Sequence, residues 1–435
     1  MSRKMKDSGV EWIGEIPEEW EIRKLASISK TITDFVASGS FASLNENVKY
    51  IDTPDYAMLV RTVDLSNSSN TKKVYIDKHA YEFLANSNLF GGELVLSNIG
   101  SVGNVFLYEP LYERASLAPN AIMMRMKESN RFYYYWLLSP LVNNALKRLG
   151  SNAVQAKFNK TQLRQFLVAR PSLKEQSRIA NYLDIKVAEI DHIIAKTQAS
   201  IEEYKRYKQS IITEAVTKGL DPNVPMKDSG IEWIGEIPED WEITSVKSKY
   251  RLVTGFTPDT ENPNYYDDNG YVWVNISDLS NDRYIVDSKK KISDLAIKEC
   301  KGNLIKKGSL LYSFKLSVGQ VSFAGNDLYT NEAIASFIED ESINLNFFYY
   351  MSSFAIIQNA NENIYGAKLL NQQLIKNAKI VFPPLNEQQK IANFLDKKVA
   401  EIDHIISKKE QLINNLESYK KSLIYEVVTG KKEVI

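Results

Sequence analysis

Two long stretches of the chain carry hydrophobic residues at alternating steps of four and three, the spacing typical of a coiled-coil helix. They lie within residues 171–219 and 383–435, and a proline precedes each one. Gly219 and Gly430 stand where the helices should end. Each predicted helix has about 43 residues, or roughly 64 Å. The predicted core positions are Leu183, Val187, Ile190, Ile194, Ile201, Ile211, Leu395, Val399, Ile402, Ile406, Ile413, Leu416 and Leu423.

The rest of the chain has the shorter, β-rich pattern of globular domains. A glycine-led run, GELVLSNIGSVGNVFL at 92–107, is matched by GSLLYSFKLSVGQVSF at 308–323. An aromatic stretch follows each run, and each region closes with a loop and an apolar segment, QAKFNKTQL at 155–163 and GAKLLNQQL at 366–374. These regions predict two domains of mixed strand and helix content.

An internal repeat organises the whole chain. Residues 6–22 and 227–243 are identical at 15 of 17 positions, and residues 174–196 and 386–408 at 17 of 23. The sequence between these blocks has diverged widely. The chain therefore consists of two similar halves, each a variable globular domain followed by a nearly constant helix.

The linker between the halves predicts how the two helices pair. Residues 218–226 are too few to travel back along the first helix, so the second helix must run antiparallel to the first to cover its seam. Thr197, Lys208, Lys409 and Lys420 are polar seam positions and should weaken the pairing. We expect an α+β protein in which a long antiparallel two-helix coiled coil separates two mixed α/β domains, one at each end. The expected bounds are 1–170, 171–219, 220–382 and 383–435.

Composition and charge exclude several classes of protein. Cys300 is the single cysteine, so a disulfide scaffold and a multi-thiolate metal site are excluded, and a reducing, cytoplasmic location is expected. No uncharged apolar run approaches the length of about 18 residues that a membrane span needs, and the N-terminus lacks the apolar region of a signal peptide. The net charge of zero hides a basic region, since residues 23–170 contain 18 basic and 11 acidic residues. Local positive potential of this kind suits phosphate contacts.

Motifs for catalysis or metal binding are weak. Glu189 with His192, and Glu401 with His404, have the spacing of di-iron ligands, but their seam register turns both pairs outward, and we expect no metal site. The sequence has no glycine turn for S-adenosylmethionine and no phosphate-binding loop. VFPPL at 381–385 lacks the polar residue of an adenine methyltransferase loop. The acidic, tryptophan-containing blocks at 6–22 and 227–243 should pack each domain onto a helix end.

The repeated segments resemble those of the specificity subunit of type I restriction–modification systems. The resemblance rests on DSGVEWIGEIPEEWE, the GELVLSNIGSVG-type hairpin, and the helix starts PSLKEQSRIANYLD and PPLNEQQKIANFLD, and it covers almost the full length. It implies two target-recognition domains that each read half of a bipartite DNA site, with the helices as a ruler for the unread gap. It also implies a non-catalytic chain on which two methyltransferase subunits dock, joined by restriction–translocase subunits. S-adenosylmethionine, ATP and Mg²⁺ would then belong to those partners, with no cofactor in this chain.

Several charged residues lie off the helix seam and yet are identical in the two copies. Two identical partners on a duplicated scaffold would require two identical faces. Recent duplication is the alternative, although the globular domains have diverged while these positions have not. The docking candidates are Lys186, Glu189, Asp191, His192, Lys398, Glu401, Asp403 and His404.

DNA-contact candidates are polar or basic residues near the predicted loops. Those in the first domain are Arg61, Lys72, Lys73, Asn98, Ser101 and Lys157. Those in the second domain are Arg283, Lys289, Lys290, Lys291, Lys315 and Lys368.

Two other classes of function stay open at this point. A nuclease or modification enzyme would act on DNA alone with Mg²⁺ and S-adenosylmethionine, whereas a scaffold would not. A protein whose two domains grip other proteins would lack the salt-dependent binding to duplex DNA that phosphate contacts produce.

Overall fold

The computed structural model describes residues 3–66, 71–149, 157–279, 282–315, 317–362, 366 and 368–434. The chain divides into two units, and each contains one globular domain with one end of each long helix. The first unit combines residues 1–198 with 410–435, and the second is residues 199–409. Because each unit contains one end of both long helices, neither unit is simply the first or the second half of the sequence.

The first unit begins with twelve short strands in its described residues. They are β1 (Met5–Asp7), β2 (Glu15–Pro17), β3 (Glu21–Lys24), β4 (Ser29–Asp34), β5 (Ala57–Val60), β6 (Tyr75–Ile76), β7 (Asn88–Leu89), β8 (Leu94–Ser97), β9 (Val105–Leu107), β10 (Ala115–Leu117), β11 (Ala121–Met126) and β12 (Leu167–Arg170). Two four-stranded sheets, in the orders β4-β11-β8-β9 and β6-β5-β10-β7, form the body of the domain. The two-stranded β12-β3 sheet joins the body to the long helix that follows.

The helices up to the end of the first long one are α1 (Leu25–Ile28), α2 (Phe41–Asn47), α3 (Thr62–Leu65), α4 (Lys78–Phe83), α5 (Asn130–Leu138), α6 (Pro140–Arg148), α7 (Lys160–Gln165) and α8 (Leu173–Lys218). Turns of 3-10 helix lie at Phe35–Ser38 and Ala85–Ser87. The aromatic stretch predicted from the sequence is α5, and Phe132, Tyr133 and Trp136 are buried in the core that the domain shares with α8.

The second unit repeats this construction. Its strands are β13 (Met226–Asp228), β14 (Glu236–Pro238), β15 (Glu242–Ser245), β16 (Leu252–Thr254), β17 (Tyr266–Val274), β18 (Tyr284–Ile285), β19 (Lys291–Ile292), β20 (Leu310–Ser313), β21 (Val321–Ala324), β22 (Tyr329–Thr330), β23 (Ile334–Phe337), β24 (Asn361–Glu362), β25 (Lys368–Leu369) and β26 (Lys379–Phe382). Its main sheet has the order β16-β23-β20-β21-β18, beside the three-stranded β19-β17-β22 sheet. The β15-β26 pair is the counterpart of β3-β12.

The remaining helices are α9 (Val246–Lys249), α10 (Asp294–Cys300), α11 (Leu345–Ala355), α12 (Gln372–Asn377) and α13 (Leu385–Val428), with 3-10 turns at Pro263–Tyr265, Ile276–Asp278 and Ile356–Asn359. The long helices α8 and α13 contain 46 and 44 residues, slightly more than the sequence predicts. None of the described helices is both long enough and apolar enough to cross a membrane.

Within each unit, the two long helices run antiparallel, as predicted. In the first unit, Ile179 and Leu183 near the start of α8 share a core with Val427 and Val428 at the end of α13. In the second unit, the end of α8 shares a core with the start of α13. The expected seam residues are buried or half-buried.

The polar seam residues were expected to weaken helix pairing, but two of the seam lysines form ion pairs with the other helix. The Nζ of Lys420 lies 2.5 Å from Asp191 Oδ1, and the Nζ of Lys208 lies 2.6 Å from Asp403 Oδ1. The long lysine side chains leave the seam and bridge the two helices at its edge. Such exposed pairs add little to stability, but they favour one register of the helices over its neighbours.

The tryptophan block packs onto a helix start, as predicted. Trp20 is fully buried, and its Nε1 donates to Glu175 Oε2 at 2.9 Å in the first turns of α8. Gly430 closes over the same ring with a φ of +75°. A Cβ at Gly430 would stand 2.4 Å from Pro17 Cγ and 3.2 Å from Trp20 Cη2.

The contact at Gly430 predicts a loss of stability in Gly430→Ala. Alanine would combine left-handed backbone strain of about 1–2 kcal/mol with overpacking that costs roughly 1–3 kcal/mol more. Gly9→Ala is the matched control, because Gly9 has a φ of +69° and a Cβ there would meet no neighbouring atom within 4 Å. Urea unfolding should show the larger loss for Gly430→Ala, and equal losses in the two variants would refute the packing argument.

Candidate nucleic-acid interface and helix surfaces

The hairpin between β8 and β9 brings three of the sequence-predicted residues together. Ile99 in its loop pairs with Lys157 in an isolated antiparallel bridge, and the Nδ2 of Asn98 donates to Phe158 O at 3.1 Å. Ser101 and Lys157 are exposed. Asn98 is buried, and its Oδ1 has no hydrogen-bond partner within the described chain. Asn98 therefore supports the loop, while Ser101 and Lys157 face solvent.

The second domain contains the same hairpin with different side chains. In the first domain, Ser97 Oγ donates to the Ile99 carbonyl. In the second, Ser313 Oγ donates to the Lys315 carbonyl at 3.3 Å. Phe314 replaces Asn98 at the start of the loop. The exposed Lys315 side chain lies 3.7 Å from Glu332. Leu316, together with Gln155, Ala156 and Ala367 of the two loop segments, lies outside the described residues.

Arg61, Lys72 and Lys73 form a second cluster, which is organised by acidic partners. The guanidinium of Arg61 holds the buried Asp64 carboxylate through hydrogen bonds of 2.9 and 3.0 Å, and Lys73 Nζ lies 3.3 Å from the same carboxylate. Burial opposes ionisation of Asp64, but the hydrogen bonds from Arg61 outweigh it and lower the pKa of this carboxyl. Lys72 is exposed and pairs with Asp52 at 2.5 Å. Arg61 thus has a structural partner, whereas Lys72 is accessible.

In the second domain, the lysine run has mixed surroundings. Lys289 is exposed, Lys290 Nζ lies 5.5 Å from the centre of the Tyr266 ring, and Lys291 Nζ is 3.4 Å from Asp287. Lys368 on β25 is exposed and pairs with Glu362 on β24. Lys289, Lys290 and Lys368 are therefore accessible at the surface, as phosphate contacts require.

Arg283 has surroundings that differ from those of the other candidates. Its Nη1 donates to Asp396 on α13 at 2.6 Å, and its Nη2 donates to Asn346 at 2.8 Å. The guanidinium also lies 5.0 Å from the centre of the Tyr349 ring. Arg283 therefore joins the domain to the long helix in this structure.

The docking candidates divide into two groups. Lys186 pairs with Glu189 at 2.8 Å, and Lys398 pairs with Glu401 at 3.0 Å, on exposed faces of α8 and α13. His192 and His404 are exposed beside them. Asp191 and Asp403 bind lysines of the other helix, so helix pairing gives a second reason why these two aspartates are identical in both copies.

Sequence reasoning missed an exposed tyrosine on each helix. Tyr207 and Tyr419 occupy equivalent positions, and 56% and 53% of their surfaces are exposed. The ion pair with Glu189 raises the pKa of Lys186, and Tyr419 is close enough to contribute to that shift. Tyr419 of α13 therefore lies near the Lys186 face of α8. The matching positions of the two tyrosines are visible in the sequence, but their exposure is not.

The described residues contain no group of three or more histidine, cysteine, aspartate or glutamate side chains that could hold a metal ion. In the described part of the chain, the two Glu/His pairs of the helices therefore have no third potential metal ligand grouped with them. The arrangement provides binding surfaces, with exposed cations on the domains and a repeated polar face on the helices.

Both halves of the chain match one family model, described as the type I restriction modification DNA specificity domain, over residues 17–203 and 238–415. The chain belongs to this family. Its duplicated domains and paired helices are thus those of a DNA specificity protein, and the resemblance stated from the sequence is confirmed.

Relatives and solved structures agree with this assignment. A putative type I restriction enzyme MjaX specificity subunit from Methanocaldococcus jannaschii is 28% identical over 410 residues, covering 91% of this chain and 89% of that protein. The EcoBI specificity subunit from Escherichia coli is 24% identical and covers 64% of this chain and 60% of that one. The names of these relatives describe specificity subunits, in agreement with the prediction of a non-catalytic, DNA-recognising chain.

The fold is shared with two solved structures at low sequence identity. A chain from a study of complex assembly and conformational transition of the type I R-M system has a TM-score of 0.72 at 13% identity, covering 95% of this chain and 98% of that one. The HsdS subunit from Thermoanaerobacter tengcongensis has a TM-score of 0.54 at 13% identity, covering 96% and 98%. The predicted α+β architecture with a long antiparallel helix pair is therefore confirmed.

The Asp64 cluster predicts a pH-dependent effect of Asp64→Asn. Because the folded-state pKa of Asp64 lies below its unfolded value of about 3.9, its stabilising effect is complete above that value and is lost as the pH falls through the folded-state pKa. The variant should lose about 1–3 kcal/mol at pH 7, and the difference from wild type should shrink below about pH 4.

Urea unfolding at several pH values measures this difference. Asp52→Asn is the control, since it removes only the exposed pair with Lys72 and should change stability by well under about 1 kcal/mol. A pH-independent loss in Asp64→Asn would contradict the assigned role of the carboxylate.

Proposed function

We propose that this chain is the DNA-reading subunit of a type I restriction–modification complex, in which each domain reads one half of a bipartite site. The proposal rests on one observation: the same scaffold occurs twice in the chain, but its two copies have different surfaces. The helix starts and the tryptophan blocks are nearly identical, while Ile99 in the first hairpin loop corresponds to the exposed Lys315 in the second. Two different half-sequences held by equivalent supports would produce this pattern.

DNA reading in this proposal divides between exposed cations and hairpin tips. Lys72, Lys157, Lys289 and Lys315 are exposed and would fix register on phosphates, which carry no base information. Ser101 at the tip of the first hairpin is suited to reading base edges by hydrogen bonds. The hairpin is stiff, because Asn98 and the Ile99–Lys157 bridge tie its loop to the following segment.

The helix pair would set the length of the unread gap. A coiled coil resists bending and compression, whereas a flexible linker would accept many separations. Reading two half-sites from one face of a duplex requires a separation near one helical turn, roughly 34 Å. The continuous helix α8, with 46 residues, is long enough to span such a distance.

Two identical methyltransferase subunits would bind the repeated helix faces. The Lys186–Glu189 pair with His192, and the Lys398–Glu401 pair with His404, present the same groups in the same order. Tyr207 and Tyr419 would add apolar area with a polar tip, which is common in protein interfaces. In this proposal, the methyltransferases bind S-adenosylmethionine and flip the target adenine, and restriction–translocase subunits use ATP and Mg²⁺.

The proposed ruler predicts that helix length determines gap length. One heptad inserted at matching levels of both helices adds about 10 Å, so the accepted gap should lengthen by roughly three base pairs while both half-sequences stay the same. Methylome sequencing of cells that carry the variant with its methyltransferase measures both properties. An unchanged gap in an active variant would refute the ruler.

The proposed docking surface predicts loss of assembly in the fourfold variant E189A/H192A/E401A/H404A. Removing both copies of the face should abolish co-purification with the methyltransferase while circular dichroism still shows folded helices. Glu202→Ala is the control, because Glu202 forms a similar exposed pair with Lys205 but corresponds to Asn414 in the second copy. Normal assembly of the fourfold variant would exclude this surface.

A further inference from the structure

An aspartate at the same place in each long helix receives a tyrosine and an arginine from the adjoining domain. In the first unit, this residue is Asp184 on α8. Tyr135 Oη donates to Asp184 Oδ1 at 2.6 Å, and Arg131 forms an ion pair with the same carboxylate. Arg131 also donates to Asn181 Oδ1 at 3.1 Å, so its guanidinium spans two positions of the long helix. Both donors come from one short helix, α5.

In the second unit, the equivalent residue is Asp396 on α13. Tyr350 Oη donates to its Oδ1 at 2.7 Å, and Arg283 Nη1 donates to the same oxygen at 2.6 Å. Tyr350 corresponds to Tyr135, since both are the fourth residue of the aromatic stretch. The arginine, however, does not come from the helix that carries Tyr350.

The second domain has a different residue at the position that Arg131 occupies in the first. Aligning the aromatic stretches places Asn346 where the first domain has Arg131. Asn346 cannot form an ion pair, but its Oδ1 accepts from Arg283 Nη2 at 2.8 Å. Arg283 reaches this place from the segment directly before β18, more than sixty residues earlier in the chain. A guanidinium is therefore present on the aspartate in both units, although different elements of the variable domains supply it.

The surroundings of Arg283 show that its position is tightly fixed. Its guanidinium lies between 5.0 and 5.8 Å from the ring centres of Phe323, Tyr349 and Tyr350. The three rings and the two polar acceptors leave it few alternative rotamers. Most other basic candidates of this domain, by contrast, are exposed.

We propose that Arg131 and Arg283 are positioning residues, which fix each target-recognition domain on its long helix and so make the accepted gap unique. The inference rests on the proposed function, because a gap exists only if both domains read one DNA molecule. In each unit, one guanidinium nitrogen binds the carboxylate and another binds an asparagine, and these contacts together with the tyrosine resist rocking of the domain more than apolar packing alone would. Rotation at this joint would displace the reading surface of the domain along the DNA.

The experiment compares gap lengths by methylome sequencing for wild type, R283A and the double variant R283A/N346R. In R283A, discrimination against gaps one base pair longer or shorter should fall about tenfold, while the bases of both half-sites stay the same. R283A/N346R returns the guanidinium to the place that Arg131 has in the first domain, and it should restore the single gap. Thermal melts of the purified chains verify that the variants are folded. If R283A does not fold, Arg283→Lys is the milder variant to use in its place.

Lys306→Ala provides the matched control, since it breaks an ion pair with Asp327 that lies within the second domain and does not involve a long helix. It should keep the single gap. A single gap in folded R283A would overturn the inference, and so would altered bases in the second half-site, which would make Arg283 a base reader. Failure of the proposed function would be distinct, because the wild-type chain would then give no bipartite methylated site.

Discussion

The structure depends on covering the apolar seam of two long helices. A helix of 46 residues with a narrow hydrophobic stripe cannot keep that stripe in water, and helices gain most of their stability from packing an apolar face. In each unit, the start of one helix is covered by the end of the other and by the core of a globular domain. The domains and the helix pair are therefore parts of the same hydrophobic cores, and the orientation of a domain follows that of its helix.

This constraint explains which parts of the repeat were kept and which were free to diverge. Residues that join a domain to a helix must keep their chemistry, and Gln176 and Gln388 show this directly. Both are buried, and both donate to the carbonyl of the proline that precedes the helix, at 3.0 and 2.8 Å. The hairpin loops, by contrast, differ between the two domains, with Ile99 in the first at the position of Lys315 in the second.

The sequence predicted the repeated parts of the fold well. The four-three spacing of the seam and the short linker at 218–226 were sufficient for two antiparallel helices, because periodic burial leaves a periodic signal. The hairpins at 92–107 and 308–323 were also visible, since each begins with a glycine and continues with apolar strand residues.

Individual side-chain roles were predicted less well, because they depend on contacts between distant residues. Its charge and its place near a predicted loop make Arg283 a DNA-contact candidate, yet its carboxylate partner, Asp396, lies 113 residues away in the sequence. Lys208 and Lys420 were expected to weaken the seam, but each reaches an aspartate of the other helix. Tyr207 and Tyr419 were overlooked because exposure cannot be judged from one helix without its neighbours.

The division of the chain into units has a consequence for its synthesis on the ribosome. Residues 199–409 form a continuous unit, whereas the first unit needs residues 410–435 in addition to residues 1–198. Leu423, Val427 and Val434 are part of its core, so that core stays incomplete until residue 434 has been translated. Residues 1–198 are thus made before the second unit but complete their core after it, and a chain terminated before residue 423 would expose this apolar surface to chaperones and proteases.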